Sequence, residues 1–134
     1  MSSAAAAISG AAAGYTAHAW AASLPAASMP GVRLYKYIYD RRFSAGRAFG
    51  AAAKRVFSTE GTVGIAGDIT ALWSRDLRLR WLHGDGAIAG MTTARTLFCL
   101  EQLAKDYRMR VAARCEHAIR DGGETTHLVS FVIA

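Results

Sequence analysis

The hydrophobic and polar positions of the chain predict five strands from residue 32 onward. Residues 32–40 alternate and are rich in aromatic and β-branched side chains, which favours a strand. Short apolar runs at 62–68 and 87–93 predict two buried strands. Alternation at 109–117 predicts a fourth strand, and a near-continuous apolar run at 127–134 predicts a fifth.

Three segments between these strands are predicted to be helices, at 44–57, 69–82 and 94–107. Ser44 is in position to cap the first helix, and the second has an apolar stripe with helical spacing. The end of the second segment, LRLRW, also alternates as a strand does. The sequence DGGE at 121–124 predicts a hairpin turn between the last two strands.

This order of elements predicts the α/β class. Strand and helix alternate three times before the hairpin, which indicates a small three-layer domain with a mostly parallel sheet of about five strands and a C-terminal antiparallel hairpin. The 134 residues suit one domain, and 52% apolar with 19% charged residues excludes a disordered chain. We assign that single domain to residues 32–134.

The first 32 residues differ in composition, because they contain no Asp, Glu, Lys or Arg. The apolar run at 4–13 has the length of a signal-peptide core and is too short to span a bilayer, and Ala19-Trp20-Ala21 offers a small-x-small cleavage pattern. We expect residues 1–21 to be an export signal and 22–31, which hold both prolines, to be a linker. The alternative is a helix of the core, since Ala is the best helix former.

The stretch MSSAAAAISG resembles the later part of a twin-arginine-type export signal. In such signals an Arg-Arg pair precedes a run of this kind, so the resemblance implies that the true start lies upstream and that Met1 is an internal methionine. It also implies a periplasmic or secreted protein that folds before export. The resemblance covers residues 1–21 only, and no characterised family is recognised in residues 32–134.

Polar residues follow the predicted strands, at the edge where open parallel sheets bind their ligands. We expect Asp40, Asp68 and His117 to be candidate acid/base groups there. The candidate ligand-binding residues are Arg41, Arg42, Thr92, Thr93 and Glu116.

Each of these residues also has a simpler explanation. Asp40 could end a strand, and Arg41 and Arg42 could be solvated surface charges. Asp68 could cap a helix, as could the pair at 92–93, and His117 could be a surface histidine.

The sequence predicts no cofactor and no metal site. The glycines of GTVGIAG lie within and around a strand and not between a strand and a helix, and no metal-ligand spacing occurs. An even-length hairpin loop would put His117 and His127 on opposite faces. For Cys99 and Cys115 the default expectation is two buried thiols, and because they lie on consecutive elements a disulfide is open in an oxidising compartment.

Three hypotheses for the function remain. The first is an exported accessory or binding module for a small anionic molecule or an exported partner protein. The second is a small hydrolase or isomerase that uses the Asp and His groups. The third, a nucleic-acid binder, depends on the net charge of +6 alone, and the arginines are scattered without a basic run.

Overall fold

The computed structural model describes residues 31–134, so the predicted export signal and residues 22–30 of the predicted linker lie outside the described residues. The strands are β1 (Leu34–Asp40), β2 (Thr62–Ile65), β3 (Ala87–Thr92), β4 (Val111–Asp121) and β5 (Glu124–Ile133). The helices are α1 (Ser44–Val56), α2 and α3 (Ala94–Lys105). Helix α2 consists of three consecutive segments, Thr70–Leu72, the π-helical Trp73–Leu77, and Arg78–Leu82. Helix α1 is preceded by Phe43 at its N-cap, so Ser44 is its first residue and not its cap.

The five strands form one mixed sheet in the order β2-β1-β3-β5-β4. Strand β1 is parallel to β2 and β3, whereas β5 is antiparallel to both of its neighbours, β3 and β4. The α/β class is therefore confirmed, but the prediction of a mostly parallel sheet is wrong.

The position of β5 explains this difference. Its last six residues, 128–133, are all buried, so the strand is apolar on both faces and takes an interior place in the sheet. The side chains of β4 alternate between the interior and solvent, which suits an edge strand.

Alternate side chains of the sheet belong to two different hydrophobic clusters. Tyr37 and Leu128 pack with α1, which contributes Phe49. Their sequence neighbours Ile38 and Val129 pack in a second cluster. The contributors of α2 and α3 to that cluster include Leu77, Trp81, Leu97 and Leu100. Because successive side chains of a strand point to opposite faces, the two clusters lie on opposite faces of the sheet.

The terminal hairpin is longer than the sequence predicts. Strand β4 continues to Asp121 instead of ending at residue 117, and β5 begins at Glu124. Gly122 and Gly123 have φ angles of 64° and 87°, as the two central residues of a type I′ turn require. Glu116 and His117 therefore lie within a strand, and the expectation that they follow its end is wrong.

Candidate functional site

Asp40, Arg42 and Thr92 meet at the carboxyl ends of β1 and β3, as the sequence predicts. Arg42 donates from Nε to Oδ1 of Asp40 at 2.9 Å and from Nη2 to Oδ2 at 2.7 Å. The hydroxyl of Thr92 donates to the same Oδ2 at 3.3 Å. The Asp40 side chain is completely buried, and its hydrogen bond raises the pKa of Arg42. These three side chains bind one another, so Asp40 anchors Arg42 and is not presented to solvent.

Arg42 fills the crevice in which a ligand was expected. The turn after β2 approaches so closely that a Cβ atom on Gly67 would lie 2.7 Å from the guanidinium of Arg42. The carbonyl of Gly67 accepts a hydrogen bond from the hydroxyl of Thr96 in α3 at 3.0 Å. The connections from β1 to β2 and from β2 to β3 run on opposite sides of the sheet, which makes the edge between β1 and β3 its topological switch point. In this protein the guanidinium of Arg42 occupies that point.

Asp68 and Thr93 serve the beginnings of helices. The carboxylate of Asp68 accepts from the backbone N–H of Thr70 at 2.9 Å and from its hydroxyl at 2.7 Å, and these bonds lower the pKa of Asp68. The N-cap position of α2 itself is Ile69. Thr93 is the N-cap of α3, and its hydroxyl accepts from the N–H of Thr96 at 3.3 Å. The capping interpretation is therefore confirmed for Thr93, whereas Asp68 lies one residue before the N-cap of α2 and binds Thr70.

His117 lies on the other face of the sheet from Asp40. His117 on β4 is paired with Leu128 on β5, and Leu128 belongs to the cluster that packs against α1. Asp40 and Thr92 lie on the face of Val129, which pairs with Thr92 and packs with α2 and α3. The sheet therefore separates His117 from Asp40, and the predicted acid/base group is not assembled.

The surroundings of His117 are those of a core residue. Its side chain is 2% exposed, and its Nε2 lies 2.9 Å from the hydroxyl oxygen of Ser130. Burial lowers the pKa of His117 to about 4, so the ring is neutral at neutral pH. Glu116 is exposed on the opposite face, with its Oε2 3.6 Å from Nε of Arg114. As predicted, His127 pairs with Ala118 and lies on the face opposite His117.

Both thiols are free, so the disulfide that the sequence left open is not formed, and the expectation of two buried thiols is wrong for Cys99. Cys99 is exposed on α3, whereas Cys115 packs at the margin of the cluster on the α1 face. Because the sheet separates these positions, the two sulfurs cannot bond within one chain. Burial, and then the charge of Glu116, raises the pKa of Cys115.

A cavity of about 450 Å³ lies between the edge strand β2 and helix α2. We call it the β2–α2 cleft. Its apolar and backbone lining comes from Val63, Gly64, Ile65, Ala66, Ala71 and Leu72, and its charged lining from Arg41, Asp68, Arg75 and Asp76. Arg41 donates from Nη1 to the carbonyl of Gly64 at 2.9 Å, which holds its guanidinium against β2. Two of the residues that the sequence singled out, Arg41 and Asp68, thus meet here and not at the Asp40 crevice.

Sequence reasoning did not identify Arg75 and Asp76 as part of a site. They lie in the middle of α2, and only the position of β2 at the edge of the sheet leaves space beside them. The signal was that Arg75 and Asp76 stand off the apolar stripe of α2, on a face with no apolar partner.

The carboxylates of the β2–α2 cleft are already engaged. Asp68 binds Thr70, and Asp76 receives Nζ of Lys36 at 2.7 Å and the hydroxyl of Tyr35. Burial by itself would raise the pKa of Asp76, but the hydrogen bonds from Lys36 and Tyr35 outweigh it and hold that pKa below its ordinary value. The exposed guanidinium groups of Arg41 and Arg75 therefore remain for a ligand.

A second cavity, of about 480 Å³, lies at the amino ends of the parallel strands. It is lined by Gly31 and Val32, where the described part of the chain begins, and by Arg33, Asp85 and Arg108. Ligands of sheets with parallel βαβ units bind at the opposite, carboxyl edge, which favours the β2–α2 cleft although it is slightly smaller.

Comparisons of the chain with protein-family models, curated protein sequences and solved structures find no match. None of the helices within residues 31–134 combines the length and apolar character needed to cross a membrane.

Proposed function

We propose that this domain binds a small anionic molecule in the β2–α2 cleft and acts as a binding or accessory module. One observation carries the proposal. Arg41 and Arg75 line the same cavity, while the two carboxylates of that cavity are bound to donors of the protein itself. The cations are therefore the groups that a ligand would meet.

Carboxylate and phosphate groups are the ligands that suit this arrangement. A guanidinium offers parallel N–H donors that match two oxygens of such a group, and these charge-assisted bonds are stronger than neutral ones. Arg41 is held at one Nη by Gly64 and keeps its other donors. Val63, Ala71 and Leu72 give the cleft an apolar wall for the carbon skeleton of a ligand, and its volume lies in the range of small-molecule sites.

The hydrolase or isomerase alternative has less support. A general base has to reach the substrate proton within hydrogen-bonding distance, yet His117 is buried on the opposite face from Asp40. Asp40 in turn is bound by Arg42 through both oxygens.

We further propose that the protein is exported and that its domain has three layers. The composition of residues 1–21 supports export to the periplasm or beyond, where an exported protein would be its partner. The two hydrophobic clusters support a layer of α1 on one face and of α2 and α3 on the other. Mass spectrometry of the protein recovered from bacterial culture fractions tests export, and an intact segment 1–21 on cytoplasmic protein would contradict it.

Binding is tested by titrating the full chain with inorganic phosphate and with citrate, followed by calorimetry and by thermal unfolding. We expect a Kd below about 1 mM for one of these probes, and a loss of roughly ten-fold or more in Arg41→Gln and in Arg75→Gln, because each removes charge-assisted hydrogen bonds. Arg95→Gln, on the exposed side of α3, is the matched control. Equal affinity in all four proteins, or no binding by either probe, would overturn the proposal.

A further inference from the structure

Strand β4 is a long edge strand, and within the described residues nothing pairs along its outer side. It pairs with β5 alone, and no other strand of residues 31–134 lies beside it. It has eleven residues and no proline, whereas β2, at the opposite edge, has only four residues. Long open edges attract another strand unless a charge, bulge or proline blocks them, and the irregularity of β4 between Val111 and Ala113 leaves a regular edge from Ala113 to Asp121. This edge is therefore a surface for strand pairing with another chain.

The sequence of β4 is complementary to itself when it is reversed about Cys115. In an antiparallel pairing of two copies with the two-fold axis at Cys115, residue i lies opposite residue 230 − i. The facing pairs of the regular ladder are Arg114 with Glu116 and Ala113 with His117, and the irregularity between Val111 and Ala113 ends the ladder beyond them. Opposite charges thus meet on both sides of the axis, and beyond them the small side chain of Ala113 faces His117, which is buried in its own chain. Directly opposed side chains of opposite charge stabilise a pair of strands.

Neighbouring registers lose this complementarity. Moving the axis by one residue places two copies of Arg114, or two copies of Glu116, opposite each other. Moving it to His117 places Arg114 opposite Arg120, and moving it to Ala113 leaves Arg114 opposite Ala112. In the Cys115 register no like-charged pair falls within the regular ladder from Ala113 to His117. Arg110 precedes β4, and Arg120 donates to the carbonyl of Gly123 in its own turn.

The backbone of β4 has the right phase for this register. The type I′ turn makes Asp121 and Glu124 a hydrogen-bonded pair, and such pairs recur at every second residue of an antiparallel ladder. Cys115 is six residues from Asp121 and is therefore also a hydrogen-bonded position, so its backbone N–H and C=O groups face β5. The N–H and C=O groups of Arg114 and Glu116 then point outward, towards the second copy. Two Cys115 residues at the axis form a pair without mutual hydrogen bonds, with Cα atoms about 4.5 Å apart.

The side chains leave the edge accessible. Ala112, Arg114, Glu116 and Ala118 are exposed on one face. On the other face His117 is buried and hydrogen-bonded to Ser130, so no charged group of this pair points inward to block a neighbouring strand. Each Arg114 already lies near its own Glu116, and a second copy would complete a four-charge group around the axis.

We propose that two copies of this chain pair antiparallel along β4 with the two-fold axis at Cys115, joining their five-stranded sheets into one continuous sheet. A C2 interface of this kind uses the same surface of both copies and closes the open edge. The inference does not depend on the proposed ligand, because the β2–α2 cleft lies at the opposite edge of the sheet.

The first test is the molar mass of the full chain by light scattering over a series of concentrations. We expect twice the 14.3 kDa of the chain. Arg114→Glu and Glu116→Arg should each weaken the dimer roughly ten-fold or more, since symmetry creates two like-charged pairs. The double variant restores opposite charges and should restore the dimer, and Arg95→Glu is the control. A monomer at every concentration would overturn the proposal, whatever else covers the edge. A double variant that does not regain the dimer affinity would overturn it too.

The second test uses the thiol at the axis. In a Cys99→Ser variant, the oxidant diamide takes two protons and two electrons from two Cys115 thiols and leaves one S–S bond between the chains. The Cα spacing of the pairing falls within the range of about 4.4–6.8 Å that disulfides require. We expect Cys99→Ser to form a covalent dimer. The dimer should be absent when Cys115→Ser is added, and its yield should be lower when Arg114→Glu is added. No covalent dimer in Cys99→Ser would contradict the register.

Discussion

Arg42 folds back over two residues and binds both carboxylate oxygens of Asp40, at 2.9 and 2.7 Å. The two partners differ in exposure, since the side chain of Asp40 is completely buried and that of Arg42 is 45% exposed. The cost of breaking the pair therefore depends on which partner is removed. An orphaned buried carboxylate is far less favourable than an arginine that can turn into water.

This asymmetry predicts that Arg42→Met destabilises the domain more than Asp40→Asn. We expect about 2 kcal/mol for Arg42→Met, below the 3–5 kcal/mol of fully buried pairs because the Arg42 site is partly open to water, and about 1 kcal/mol for Asp40→Asn. Urea unfolding at pH 7 measures both. Arg41→Met, which removes an exposed bond to a carbonyl, is the control and should change the free energy of unfolding by less than about 0.5 kcal/mol.

The double variant Asp40→Asn/Arg42→Met separates this interpretation from a functional one. It should be more stable than Arg42→Met alone, because it has no buried charge without a partner. If Arg42→Met kept the stability of the wild-type protein and lost anion binding instead, Arg42 would be a ligand-binding residue and not a structural partner of Asp40.

The alternation of side chains was enough to predict some details of the fold. The even number of residues in the hairpin loop placed His117 and His127 on opposite faces. The apolar run of the last strand indicated a covered strand. The strand order could not be predicted, because it depends on which surfaces are left after the helices pack. The far end of the hairpin was missed because the exposed residues 124 and 125 give no burial signal, and the two-residue turn holds them in the ladder.

The candidate site was only partly predictable for a related reason. The convergence of Asp40, Arg42 and Thr92 follows from the direction of β1 and β3, and it was predicted. Whether such groups bind a ligand or each other depends on side-chain geometry that spacing does not contain. The β2–α2 cleft exists because β2 is short and lies at the edge, which again depends on strand order.

Close packing of α1 on the end of β1 predicts an unusual effect at Gly46. A Cβ atom there would lie 2.0 Å from the carbonyl oxygen of Asp40, a backbone atom that cannot turn aside. In an exposed helix, Gly→Ala stabilises by about 1 kcal/mol, but here the helix would have to move, at a cost of about 1–3 kcal/mol. We expect Gly46→Ala to lower the free energy of unfolding in chemical denaturation.

The matched control is Ala51→Gly, at an exposed position of the same helix. It should cost about 1 kcal/mol through helix propensity alone. A stabilised Gly46→Ala variant would show that α1 does not pack closely against the end of β1.

The buried ring of His117 predicts that the domain loses stability in mild acid. Burial lowers its pKa from 6.5 to about 4, so between these values the unfolded chain binds a proton that the folded protein does not. The stabilisation is complete above pH 6.5 and decreases as the pH falls to about 4. Each pH unit in this window corresponds to about 1.4 kcal/mol, so about 2.5 kcal/mol should be lost between pH 7 and 4.5. Urea unfolding at several pH values measures this slope.

His117→Gln should flatten the slope, because glutamine can keep a hydrogen bond to Ser130 without titrating in this range. His83→Gln is the control, since His83 is exposed and bonded to the carbonyl of Leu79 at 2.7 Å. We expect the control to keep the full acid dependence and His117→Gln to lose most of it. An unchanged slope in His117→Gln would assign the acid sensitivity to the carboxylates, and would mean that the ring of His117 reaches water.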